Sequence, residues 1–177
     1  LNLVVHKGKT IFVADTSVHE YPTSEQMSEI AISAARVVRL FGFDPKVAFV
    51  SHSTFGQPVT SRTKHIRKAV DILKEKKVDF EFDGDMQPDV ALNKDYKSLY
   101  PFSKIVGNAN ILIMPGQHSA AISYKMMKEL GDTKVIGPLL IGLGLPIEIA
   151  PLRTSTSELI NLASIAAYSS DIINYKK

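Results

Sequence analysis

The stretch Asn108 to Leu145, NANILIMPGQHSAAISYKMMKELGDTKVIGPLLIGLGL, constrains the fold of this chain more than any other. Asn110 to Met114 is an apolar run short enough to be a buried strand, and Pro115-Gly116 breaks it. Ser119 to Leu130 then shows helical spacing, which Gly131 stops. A strand, a loop and a helix in that order predict a βαβ-type unit. In open α/β sheets the loop leaving the carboxyl end of a strand is the usual ligand seat, so Gly116 to Ala120 is the first candidate. Beyond it, Val135 to Leu143 is apolar around Gly137-Pro138 and Gly142, which predicts a glycine-punctuated buried crossing.

The rest of the chain repeats this alternation. Leu3 to Val5 and Ile11 to Ala14 are β-prone runs joined by Lys7-Gly8-Lys9, a hairpin pattern. Thr23 followed three residues later by Gln26 is a capping box. Met27, Ile30, Ala31, Ala34, Val37, Val38 and Phe41 then trace one face of a helix ended by Gly42. Val47 to Val50 predicts a buried strand running into the loop Ser51 to Gly56, and Ile66, Val70 and Leu73 an amphipathic helix over Thr63 to Lys76. Phe80 to Phe82 reads as a short strand ending in an Asp83-Gly84-Asp85 turn, Asn93 to Ser103 as helix then loop, and Ile147 to Ala150 as one more strand. Ser155 to Tyr168 predicts a last helix, apolar around so much of its circumference that it calls for burial on more than one side. Strands alternating with helices predict an α/β fold, three layers α/β/α around a mainly parallel sheet.

Composition narrows the function classes. With 177 residues, 45% of them apolar, a sizeable core is expected. The 21 basic and 18 acidic residues are dispersed, Lys74, Lys76 and Lys77 being the tightest group, so nucleic-acid binding gains no support. The absence of cysteine rules out disulfides, thiolate metal sites and a cysteine nucleophile. No apolar run reaches the roughly 18 residues needed to span a bilayer, and Leu1 to Thr10 lacks a signal-peptide pattern; a cytoplasmic protein without membrane or nucleic-acid partners is expected. A start at Leu1, almost directly into a strand, suggests a piece of a longer protein.

Several residues could carry chemistry. Ser51 to Gly56 offers hydroxyls, an imidazole and a glycine ahead of a helix, a setting for phosphate or simply a polar surface loop. Asp83 and Asp85 suggest paired carboxylates or a divalent cation on one reading and an ordinary turn on the other. Asp15 beside His19 and Glu20 poses the same choice. His118 could titrate near neutrality or merely sit at a helix start. Ser51, His118 and Asp83 supply a nucleophile, base and acid on paper only. Arg153, just before the hydroxyls Thr154 to Ser157 that should cap the last helix, suits two-pronged recognition of phosphate or carboxylate, or is a surface arginine.

Taken together, Ala14-Asp15-Thr16 with Pro22-Thr23, the Ser51 to Gly56 loop, Phe82 to Asp85, Asn110 to Pro115 with Tyr124-Lys125, and Ile136-Gly137-Pro138 with Gly142 and Pro146 resemble the phosphate acetyl- and butyryltransferase family. The wording DTSVHEYPT, SHSTFG and MPGQHSAAISYK looks closest to its branch fused to the carboxy end of bacterial NADP-dependent malic enzymes. The resemblance implies an isocitrate/isopropylmalate dehydrogenase-like fold of two lobes. Residues 1–150 would be the second lobe, and 151–177 a helical segment packing on a first lobe outside this chain. It further implies an acyl-coenzyme A ligand, acetyl-CoA above all, contacted by Ser53, Thr54, Gly137, Pro138 and Arg153, and a homo-oligomer, in all expectation a dimer. NADP and a divalent metal would belong to a malic enzyme domain, which converts malate to pyruvate and CO2; no cofactor is expected in the present chain. Active members resemble S-R-G-C-S-x-x-D in the last segment. Here Leu152 stands at the serine position, Arg153 keeps the arginine and Leu159 stands at the aspartate. Leucine can neither relay a thiol proton nor stabilise a cation, so the resemblance implies a regulatory lobe with no catalytic residue of its own; the alternative is a working phosphate acetyltransferase.

Overall fold

The capping box at Thr23 forms as its sequence requires. Gln26 N donates to Thr23 Oγ1 at 3.2 Å and Thr23 N to Gln26 Oε1 at 2.8 Å. They open helix α1 (Ser24–Leu40), whose far end closes by Gly42 N donating to Arg39 O and Phe43 N to Val38 O. Gly42 takes φ 80° there, a backbone region that costs a side-chain-bearing residue energy, and so ends the helix.

The computed structural model describes residues 1–175. Strands β1 (Asn2–His6) and β2 (Lys9–Ala14) form the expected hairpin, followed by α1, β3 (Lys46–Val50), α2 (Ser61–Glu75) and β4 (Glu81–Met86). Short helices α3 (Pro88–Leu92) and α4 (Lys94–Lys97) precede β5 (Ile111–Ile113), α5 (Gln117–Leu130), β6 (Thr133–Ile136) and α6 (Thr156–Tyr175). The six strands make one sheet in the order β4-β3-β5-β2-β1-β6. β4, β3, β5 and β2 pair in parallel, whereas β1 runs antiparallel to both its neighbours.

Period-two alternation sends the strands' side chains to two cores. Phe12, Ala14, Val47, Phe49, Ile111 and Ile113 face α1 and α2, where Met27, Ala31, Ile66 and Leu73 meet them. Val13, Ala48, Val50 and Leu112 point the other way, to Val90 and Ala91 of α3 and Ala120 of α5. Burial on both faces explains why KVAFV and ILI are continuous apolar runs rather than alternating ones. The result is the expected three-layer α/β/α arrangement with a mainly parallel sheet.

Four expectations are corrected. Asp83-Gly84-Asp85 is not a turn: β4 runs through it to Met86, because Gly84 lets the strand lie against Phe49, where a Cβ would stand 2.7 Å from that residue's Cβ. The helix expected from Asn93 is split, α3 starting earlier at Pro88 and α4 ending at Lys97. Val135 to Leu143 is no buried crossing, since β6 is an edge strand and the segment after it is largely half-exposed, with Leu139 its one fully inserted side chain. Ile147 to Ala150 forms no strand; Glu148 makes only an isolated bridge to Leu139. Helix α6 buries Leu162 but leaves Leu159, Ile160 and Tyr168 exposed.

Replacing Thr23 by alanine removes the acceptor for Gln26 N and half of the box. The expected cost is about 1 kcal/mol, measured as a lower denaturation midpoint at constant slope; an unchanged midpoint would show that the cap contributes nothing.

Candidate functional site

Parallel pairing carries the carboxyl ends of β2, β3, β4 and β5 to the same edge of the sheet, where Ser51 N donates to Met86 O and Met114 N to Ala14 O. Asp15 follows β2 there and is almost wholly buried. Its Oδ1 accepts from the amides of Ser17 (2.9 Å) and Val18 (3.2 Å), and its Oδ2 from His19 N and His19 Nδ1, both at 2.8 Å. Burial pushes this carboxyl up, yet the hydrogen bonds from Ser17, His19 and Val18 outweigh it and hold the pKa below its ordinary 3.8. A carboxylate fixed in this way orients the His19 ring, which lines an apolar cavity of about 540 Å³ with Leu139, Leu140 and Ile141.

A second cavity of about 540 Å³ lies between α5, the segment after β6 and the start of α6. Tyr124, Lys125 and Lys128 of α5 form one wall, Gly137 and Pro138 another, Arg153 and Leu162 a third. Gly137 has φ 131°, and a Cβ there would come within 2.5 Å of Asn2 Oδ1, so the chain can turn past Asn2 only with glycine. Ser155 caps α6: its N and Oγ both donate to Glu158 Oε2 at 2.8 Å. Those bonds first, then Lys128 at 3.3 Å, hold the Glu158 carboxyl below its usual range. Arg153, Lys125 and Lys128 outnumber the acids Glu129 and Glu158 around the cavity, which suits it to an anionic ligand.

Of the residues singled out from sequence, Gly137, Pro138 and Arg153 thus share one cavity. Ser53 and Thr54 lie apart from them, buried behind β3; Thr54 Oγ1 accepts from Gln87 N at 3.2 Å, and Ser53 Oγ is buried without a partner. Asp83 and Asp85 do not form a joint ligand set. Asp83 accepts from Gly84 N and Lys104 N, and Asp85 from Arg67 Nε at 2.9 Å. Among the described residues no group of three or more His, Cys, Asp or Glu side chains is arranged to hold a metal ion. Ser51, His118 and Asp83 are not assembled: Ser51 Oγ accepts from Ser53 N, while exposed His118 lies 3.9 Å from Glu20. No helix among the described residues is long and apolar enough to cross a membrane.

Sequence reading missed Lys128 and the pairing of Arg67 with Asp85. The first carried a signal, because 124, 125 and 128 share a face of a helix. The second carried none, since 18 residues separate its partners.

Because the folded pKa of Asp15 is depressed, its stabilisation is fully present above the unfolded value and is lost as pH falls through the folded one. Asp15→Asn is therefore expected to lower stability by about 1 to 3 kcal/mol at neutral pH and to flatten the acid limb below about pH 4. Urea denaturation across pH 2.5 to 7 (~0.5-unit steps) reads both effects; an acid limb as steep as in the parent would contradict the assignment.

Comparison with known proteins follows this geometry closely. The family described as phosphate acetyl/butaryl transferase matches residues 1–167. An NADP-dependent malic enzyme of Rhizobium meliloti is 48% identical over 95% of the chain and 22% of its own length. A phosphate acetyltransferase of Clostridium acetobutylicum is 34% identical over 90% of the chain and 48% of its own length. The chain therefore spans about a fifth of such malic enzymes and about half of such acetyltransferases. The crystal structure of a phosphotransacetylase from Streptococcus pyogenes superposes with a TM-score of 0.90 at 29% identity, over 96% of this chain and 53% of that one. A sheet of this order, glycine-shaped on one edge and cationic beside it, together with a match over nearly its whole length, makes the chain a member of the phosphate acetyl/butaryl transferase family.

Proposed function

We propose that the chain is a phosphotransacetylase-like lobe that binds acyl-coenzyme A, with acetyl-CoA the first ligand to consider, and transfers nothing. It would serve as the regulatory and dimerising part of an NADP-dependent malic enzyme of the cytoplasm, whose conversion of malate to pyruvate, with NADP and a divalent metal, belongs to another domain. Arg153, Gly137 and Pro138 would hold the ligand in the cavity they line, with Ser53 and Thr54 on the phosphate side.

The observation that carries this reading is the chemistry around Arg153. Leu152 is fully exposed, at 107%, and Leu159 is half exposed, and these occupy the positions where active members resemble serine and aspartate. A binding cation remains and the groups that would move a thiol proton are replaced by hydrocarbon. The apolar residues Leu159 and Ile160, exposed on α6, support residues 151–177 as the segment that packs on a first lobe. Regulation then requires that the ligand bind two states of the whole protein with different affinity.

The alternative, a working phosphate acetyltransferase, is favoured by the 34% identity to the Clostridium acetobutylicum acetyltransferase. Calorimetry of acetyl-CoA into the intact protein is expected to show saturable binding weakened at least tenfold in Arg153→Ala, with no acetyl phosphate formed from acetyl-CoA and phosphate. Acetyl phosphate formation would establish the alternative; absence of binding would leave a dimerisation scaffold.

A further inference from the structure

At the opposite edge of the sheet, Arg67 of α2 is held in a way that stability alone does not explain. Its Nε donates to Asp85 Oδ1 at 2.9 Å, and Asp85 is completely buried whereas the arginine side chain is 41% exposed. Burying a carboxylate against a half-solvated partner rarely adds net stability, because desolvation offsets the attraction. What the pair does is position. Asp85 O also accepts from Phe55 N at 2.7 Å, so one buried residue fixes both the guanidinium and the loop beside it.

Gly56 completes the seat. A Cβ there would stand 2.6 Å from Arg67 Nη2 and 2.9 Å from Nη1, so the guanidinium lies directly over the glycine. Neither Nη makes a hydrogen bond to a described residue, which leaves a pre-set two-pronged donor. It lines a pocket of about 300 Å³ with Phe55, Phe102, Lys74 and Lys104. The wall also contains two carboxylates, both engaged: Asp71 is 2.6 Å from Lys74 Nζ, and Asp83 accepts from Gly84 N and Lys104 N. Phe55 and Phe102 meet edge to face at 4.8 Å, and Phe102 is 63% exposed, presenting a flat apolar surface beside the cations.

We propose that this pocket is a second ligand site, in which Arg67 receives the oxyanion of a small phosphate or carboxylate compound and Phe102 carries its flat apolar part. The volume suits a small molecule rather than a macromolecule. β4 and β6 are the two sheet edges, five strand spacings or roughly 24 Å apart, so the site is separate from the Arg153 cavity. It does not depend on the function proposed above.

Inorganic phosphate, malonate and adenosine monophosphate, titrated by calorimetry into intact protein carrying Arg153→Ala, test the site without interference from the other cavity. Saturable binding of phosphate or malonate is expected, the stronger one naming the head group, with Arg67→Lys weakening it at least tenfold. Adenosine monophosphate should bind more tightly than phosphate and lose that gain in Phe102→Ala. Absence of binding, or a folded Arg67→Lys protein with unchanged affinity, overturns the proposal. Should Arg67→Lys fail to fold, Lys104→Met decides: a severalfold loss supports the site and parental affinity overturns it.

Discussion

Everything in this molecule hangs on the pairing of β5. Three residues, Ile111 to Ile113, lie between β2 and β3, matched to Phe12, Val13 and Ala14 on one side and Val47, Ala48 and Phe49 on the other. A parallel strand bonded on both edges and covered on both faces must be apolar throughout, and these three are buried. Their register aligns the carboxyl ends of four strands, and with them every loop that carries a polar group of interest. Shifting β5 by one residue would exchange the two cores.

Buried carboxylates then arrange what the sheet has brought together. Asp15 gathers three amides and an imidazole, while Asp85 holds a guanidinium and, through its carbonyl, the Phe55 backbone. Both stand at the end of a parallel strand, where backbone N–H groups of the following loop are close and not yet committed to a ladder. Glycine does the complementary work: Gly56 and Gly137 each leave room for a polar group at a distance no Cβ would tolerate. The same economy appears on α6, where Ser155 and Glu158 cap the helix while Glu158 steadies Lys128 across the cavity.

Much of the fold was legible because its signals are local. The Thr23 box, the Gly42 stop and the Lys7-Gly8-Lys9 hairpin involve residues within a few positions of one another, so propensity and geometry agree. The errors fell where a distant partner overrode local preference. Asp83-Gly84-Asp85 has the composition of a turn, but Phe49 and the amide of Lys104 hold it in β4. Val135 to Leu143 has the composition of a core segment, but β1 pairs it at the sheet edge. For the candidate site, Gly137, Pro138 and Arg153 were identifiable individually by residue type and resemblance, without any indication that Tyr124, Lys125 and Lys128 would face them.

Sequence by itself determined the element types, the α/β class and the family, since hydrophobic periodicity and short motifs survive without knowledge of the third dimension. Tertiary structure alone decided strand order, which places the Arg153 cavity and the Arg67 pocket on opposite edges of one sheet. It also decided which polar side chains are presented and which are enclosed: Ser53 and Asp85 are buried while Arg153 and Phe102 are not. The physical reason is that charge and hydroxyl groups acquire meaning from burial and from partners far away in the chain, and Arg67 meets Asp85 only because α2 packs against β4.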